Sequence, residues 1–216
     1  MKKIASPLFQ DLSEAELDTL AAAGHLRTRQ FAKHEVIFHA GSCVLEIGIV
    51  LRGSVHIENL DLWGTKSILS SVGAGQAFAE TYAFCGEALM VDAVAAEHCE
   101  ILFLHTAAFT DARIEPALQD KLLRRLLAVS MRKNLSLSQR IFCTTPKTVR
   151  GRLLTYFSAQ AARCGRMEFE VPFNRQQMAD YLNLDRSALS KELCKMRDEG
   201  LLEFDKNRFV LKQLPE

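Results

Sequence analysis

The chain has 216 residues, 48% of them hydrophobic and 25% charged, which suits one large globular domain or two small ones and excludes a disordered chain. Twenty-seven basic residues against 26 acidic leave a net charge of +1, so the chain as a whole carries no polyanion-binding signature. The six cysteines, Cys43, Cys85, Cys99, Cys143, Cys164 and Cys194, form no C-x-x-C pair; they exclude a disulfide scaffold and read as reduced thiols. The opening MKKIASPLFQDL lacks an apolar signal core, and no run of about 20 apolar residues follows, so a soluble, cytoplasmic protein without membrane contact is expected.

The first predicted element is a short helix from Ser13 to about Leu26, with Ser13 as N-cap, Glu16 three residues on and Gly24 near its stop. Between Arg27 and Phe103 the pattern changes to short segments rich in Val, Ile, Leu and Phe: VIFHAG, EIGIVLRGSVHIEN, TKSILSSVGAG, MVDAVAAE and CEILFLH. They recur about every ten residues, which predicts an all-β barrel or sandwich. Gly41, Gly53, Gly64, Gly73 and Gly75 fall at the punctuation points, where a positive φ is wanted.

After Phe109 the period turns helical. Leu123, Leu127, Ser130, Asn134, Leu137 and Ile141 alternate in steps of four and three along a helix from about Pro116 to Cys143. Such a stripe fits either a core-facing surface or a dimer contact. Thr144, Thr145 and Pro146 break this helix and mark a candidate hinge. A further helix, roughly Lys147 to Ala162, leads through Cys164 and Gly165 into the extended run MEFEVPF.

Local charge differs from the average: from Pro146 onward 13 basic residues face ten acidic ones, a tilt that permits nucleic-acid binding. Within this stretch Asn174 caps a helix carrying Met178, Ala179, Tyr181 and Leu182 inward, and Asn183, Leu184 and Asp185 make a tight turn. A second helix then carries Leu189, Leu193 and Met196 inward, and Gly200 ends it. Ala179 is the small residue that allows a steep crossing of two helices, and Leu184 plugs the turn. LLEFDKNRFVL reads as two strands turning at Asp205, Lys206 and Asn207, a β-wing. The whole predicts a winged helix-turn-helix, and an ordinary helical hairpin with a solvated face is the bland alternative. Arg175, Arg186, Ser187, Ser190 and Lys191 are the candidate DNA contacts: Arg186 suits a phosphate or a guanine edge, Lys191 a guanine, and the two serines a base edge or phosphate.

In this order the parts resemble the CRP/FNR family of transcriptional regulators. FAKHEVIFHAG (Phe31 to Gly41), IVLRGSVHIEN (Ile49 to Asn59), VGAGQAFAE (Val72 to Glu80) and LDRSALSKELCKMRDEGLL carry the resemblance, which spans nearly the whole chain. It implies an α+β protein: a β-roll (jelly-roll) sensor domain over 1–112, a dimerisation helix and hinge over 113–145, and a winged helix-turn-helix over 146–216. It also implies a homodimer joined along the seam, a two-fold symmetric double-stranded operator, an effector-dependent pose of the DNA-binding domains and RNA polymerase as a partner.

The chain departs from the family's pattern at the cyclic-nucleotide cassette. Members that bind cyclic AMP carry Gly-Glu and, about ten residues on, Arg-Ser for the cyclic phosphate. Here Ala79-Glu80 keeps the acid, but Met90-Val91 stands in the Arg-Ser place and offers the anion no side-chain cation or donor. No N-terminal cysteine cluster for iron-sulfur chemistry exists either, since the first cysteine is Cys43. What the resemblance leaves is an effector pocket lined by Phe78, Ala79, Glu80, Phe84, Leu89, Met90, Val91 and Asn134 for a small organic molecule of unspecified identity, against the alternative of a filled, ligand-independent roll. No cofactor or metal is expected. Haem would need Cys85 or one of the histidines as ligand, and no spacing singles out a pair. The recognition helix departs as well, with Ser187 and Lys191 where the family often has glutamate and arginine, which implies a shifted operator sequence. A cupin-like metalloenzyme, the reading from another class, needs an H-x-H pair that the sequence lacks.

Overall fold

The computed structural model describes residues 4–60 and 66–212, and contacts divide the chain into two compact units, Met1–Met131 and Arg132–Glu216. In the first unit a 3-10 turn, Pro7–Phe9, precedes helix α1, Glu14–Ala22. α1 starts where its capping box dictates: the Ser13 hydroxyl accepts from the Glu16 N–H at 3.2 Å, and the Glu16 carboxylate accepts from the Ser13 N–H at 2.7 Å. It stops earlier than the sequence suggests, because Leu26 already belongs to strand β1, Leu26–Phe31. That strand is hard to read in LRTRQF because it lies at a sheet edge and buries only Phe31 fully.

Strands β2 (Val36–Phe38), β3 (Glu46–Arg52), β4 (Val55–Leu60), β5 (Lys66–Val72), β6 (Ala77–Phe78), β7 (Asp92–Ala95) and β8 (Cys99–His105) complete the roll. They form two antiparallel four-stranded sheets in the orders β1-β8-β3-β6 and β2-β7-β4-β5. The alternation along β8 explains the layers. Ile101 and Phe103 point between the sheets with Phe31, Phe38, Val50 and Phe78, whereas Leu102 and Leu104 point outward. The outward pair, with Ile47 and Ile49, packs against Leu17 and Leu20 of α1 and against Leu118, Leu122 and Leu126 of helix α3, Pro116–Thr144. Each buried leucine there contributes about 2 kcal/mol by area.

Gly53 turns β3 into β4 with φ 81°, and a Cβ there would meet the His98 carbonyl oxygen at 2.6 Å. Gly41 and Gly75 also have positive φ; Gly73 does not, because its turn closes instead through its N–H on the Gln76 side chain at 2.8 Å. Gly64 and Thr65 lie outside the described residues.

The second unit contains the C-terminal part of α3 from Arg132, then α4 (Val149–Cys164), β9 (Glu168–Glu170), α5 (Arg175–Leu182), α6 (Arg186–Asp198), β10 (Leu202–Asp205) and β11 (Arg208–Leu211). α4 begins two residues after the expected Lys147 because the Thr148 hydroxyl caps it, accepting from Gly151 N–H at 3.0 Å. Phe157, Phe169, Met178, Leu189, Leu193, Met196 and Phe209 fill one core, and Cys143 from the end of α3 is buried among them. The boundary between the two compact units falls within α3, after Met131. Among the described residues no helix is long and apolar enough to cross a membrane.

Candidate nucleic-acid interface

The local sequence builds α5, turn and α6 with little left over. Asn174 and Gln177 form a reciprocal capping box at 2.9 Å each way, and Asn183 ends α5 in the left-handed region at φ 54°. Ala179 is fully buried, Leu184 packs partly against the core, and the Leu184 N–H returns to the Ala179 carbonyl at 2.9 Å. Asp185 then caps α6, its Oδ1 accepting from the N–H groups of Ser187 and Ala188 at 2.8 and 3.0 Å and from the Ser187 hydroxyl. The Ser187 hydroxyl contributes most to holding the Asp185 carboxyl below the usual carboxylate range, with the two backbone donors adding to it. Tyr181, expected inward, is only half-buried, lying against Tyr156 and Phe173 at the margin of the core.

Leu189, Leu193 and Met196 face the core, so the opposite side of α6 presents Arg186, Ser187, Lys191 and Lys195 to solvent, with Ser190 half-buried. Arg186 and Lys191 make no hydrogen bond or ion pair among the described residues, and both stay available to an anion. Ser187 is committed in part to the Asp185 cap. Arg175 stands differently: its guanidinium lies over the rings of Phe204 and Phe209, 4.9 and 5.1 Å from their centroids, and burial pulls its pKa down. It lines a cavity of about 460 Å³ with Pro172, Phe173, Asn174, Lys206 and Asn207, between the start of α5 and the wing. The wing itself turns at Lys206 and Asn207 alone, Asp205 and Arg208 being paired strand residues.

Sequence reasoning missed three arginines that hold this arrangement. Arg150 of α4 binds two carboxylates at once, Glu192 at 2.6 Å and Glu199 at 2.8 Å, and they push its pKa up, Glu199 most. Arg140 and Arg152 bond to backbone carbonyls at the end of α5. Their only sequence signal was the absence of an acid at helical spacing.

Of the expected pocket residues, the structure brings Phe78, Ala79 and Leu89 into one apolar cluster, while Phe84 and Met90 stand largely in solvent. Phe78 and Leu89 belong to the roll core; Phe78 packs beside Phe38 at 5.8 Å and so close over Gly48 that a Cβ there would sit 2.3 Å from the ring. Ala79 is partly buried with φ 62°, a conformation that costs an alanine about 1–2 kcal/mol. It opens a short helix, α2 (Glu80–Cys85), that the sequence reading omitted, and Glu80 is buried in its first turn. Phe84 is 51% exposed against Phe109, Met90 is 78% exposed in the turn before β7, and Val91 is half-buried beside it. Asn134 is exposed and belongs to the second compact unit, where it accepts a long hydrogen bond from the Ser138 hydroxyl at 3.5 Å. On α3 the seam residues Leu123, Leu127, Leu137 and Ile141 are exposed apolar side chains, joined by Met131, Leu135 and Phe142, while Ser130 is half-buried.

Two family models match the chain: a cyclic nucleotide-binding domain over residues 28–113 and a Crp-like helix-turn-helix domain over residues 151–216. No curated protein sequence matches it. Among solved structures it is similar to the Catabolite Activator Protein of Thermus thermophilus, at 25% identity and TM-score 0.50 over 96% of this chain and 94% of that one. It also resembles in fold FixK2 of Bradyrhizobium japonicum, at 19% identity and TM-score 0.52 over 87% and 93% of the two chains. A third match is the c-di-GMP-responsive global regulator CLP of Xanthomonas campestris, at 16% identity and TM-score 0.55 over 93% and 100%.

Proposed function

Because the chain belongs to the CRP/FNR family of transcription regulators, an effector-binding domain joined to a helix-turn-helix DNA-binding domain, we propose that it acts as a homodimer on a two-fold symmetric operator, reading bases with α6. The observation that carries this reading is the state of charge on α6. Arg186 and Lys191 are exposed and, among the described residues, unpaired near the end that enters a major groove first, while Glu192 and Glu199 are both bound by Arg150, which offsets one of their two charges. Seven exposed apolar residues along α3 support pairing of two copies through that helix. Arg175, Ser187 and Ser190 complete the contact set, Arg175 from its seat on the wing.

A small effector in the roll modulates DNA affinity by binding one pose of the DNA-binding domains more tightly than the other, and that effector is not cyclic AMP. Met90-Val91 supplies no cation, and Met90 stands largely in solvent. Catalysis and a resident cofactor form no part of this reading, and RNA polymerase is the natural further partner. A second reading, a regulator that needs no effector, is favoured by Phe78 filling the roll interior over Gly48. The test is a mobility shift on the DNA upstream of the protein's own gene, with wild type and the Arg186→Ala, Lys191→Ala double variant, with and without cell extract. A specific shift in wild type that the double variant loses is expected; none under any condition sinks the proposal. Extract dependence separates the two readings, and cyclic AMP alone should change nothing.

A further inference from the structure

A helix leaves its last carbonyls without intrahelical donors, and at the end of α5 two arginines from two other helices supply them. Arg140 of α3 donates Nε to the Tyr181 carbonyl at 3.1 Å and a terminal nitrogen to the Asp180 carbonyl at 3.0 Å. Arg152 of α4 donates one terminal nitrogen to the carbonyls of Leu182 and Asn183, at 3.1 and 2.7 Å. Its Nε bonds the Pro146 carbonyl at 2.8 Å, between α3 and α4. Four consecutive carbonyls, 180 to 183, are thus held by two cations at the negative end of the α5 dipole. Neither arginine has a carboxylate partner among the described residues. Arg140 also lies 5.9 Å from the Tyr181 ring centroid, and Cys143, one turn further along α3, is buried in the same core.

The placement matters because Asn183 is the left-handed turn residue and Asp185, two residues on, is the N-cap of α6. Fixing the carbonyls of 180–183 fixes where that cap stands, and with it Arg186 and Lys191. We propose that Arg140 and Arg152 are positioning residues that set the pose of α6 for base reading, and that Arg140 is the bond through which α3 commands that pose. This rests on α6 being the recognition helix.

The test uses Arg140→Lys and Arg152→Lys in the full chain. Lysine keeps the charge, but its ammonium is a point donor without the planar fork that spans neighbouring carbonyls. The probe is a duplex selected by the wild-type protein from a random-sequence pool, with a scrambled duplex as comparison. Each variant is expected to bind the selected duplex about tenfold more weakly. Affinity for the scrambled duplex and the salt dependence should remain those of wild type, since no cation is lost. Amide exchange is expected to quicken at Leu184 and Asp185 and to stay unchanged at Leu153 and Phe157. Binding of the selected duplex within twofold of wild type overturns the proposal, as does an equal loss on both duplexes or faster exchange throughout the core. If wild type selects no sequence, the recognition-helix reading falls first, before any variant is weighed.

Discussion

Gly48 and Phe78 show how closely one residue dictates another inside the roll. The Phe78 ring occupies the space a Cβ on Gly48 would take, 2.3 Å away, so Gly48→Ala must displace the ring. We expect a loss of about 1–3 kcal/mol by calorimetry, partly recovered by adding Phe78→Leu, which removes the obstructing edge. Asp185 offers a pH test. Its carboxyl is held below its ordinary value in the fold, so the folded state binds a proton less readily than the unfolded chain. Its contribution is therefore present above the unfolded value of about 4 and fades as pH falls towards the folded one. Asp185→Asn keeps the cap geometry and should flatten that acid limb in urea titrations between pH 5 and 3. The caps Ser13 and Asn174 were legible from a side-chain oxygen at the right offset, whereas Asp185 was read only as part of the turn and the structure makes it the cap of α6. Arg140 and Arg152 were not legible, because their partners are backbone carbonyls, which no sequence pattern marks.

At the scale of elements, legibility followed periodicity. α3 and α6 have long apolar stripes, and the structure ends α3 one residue beyond the expected stop. β1 and α2 escaped, one because an edge strand with four polar residues shows no alternation, the other because six residues are too few for a helical period. The α3 seam itself is exposed, and its role can be tested alone. Leu127→Glu with Leu137→Glu puts charges on that face without touching Leu118, Leu122 or Leu126, which pack against the roll. Sedimentation is expected to report dimers for wild type and monomers for the variant, with the melting of the roll little changed; a persistent dimer would move the interface elsewhere.

For the whole molecule, the order of roll, long helix and winged domain was readable because each part keeps its own hydrophobic period. The effector was not, since a pocket is a property of side chains from distant strands. Met90, in the Arg-Ser place of the expected cassette, and Phe84, between its two parts, turned out to face solvent. The proposed binding of a two-fold duplex by two copies would have a quantitative signature in salt. Removing one phosphate or base cation per protomer, as in Lys191→Ala, should lower the slope of log affinity against log salt by about two if Lys191 touches phosphate. If it reads a base instead, the slope holds and discrimination between operators drops.

The paired carboxylates on Arg150 bear on speed as well as shape. Glu192 lies on α6 and Glu199 caps its end, on the helix proposed to approach a polyanion, and Arg150 offsets one of their two negative charges before any contact is made. Arg150→Ala would leave two bare negative charges there, and stopped-flow mixing with duplex should show a slower association rate at low salt that converges on wild type as salt rises. On the proposed function, encounter with DNA would thus be governed partly by a residue that never needs to touch it.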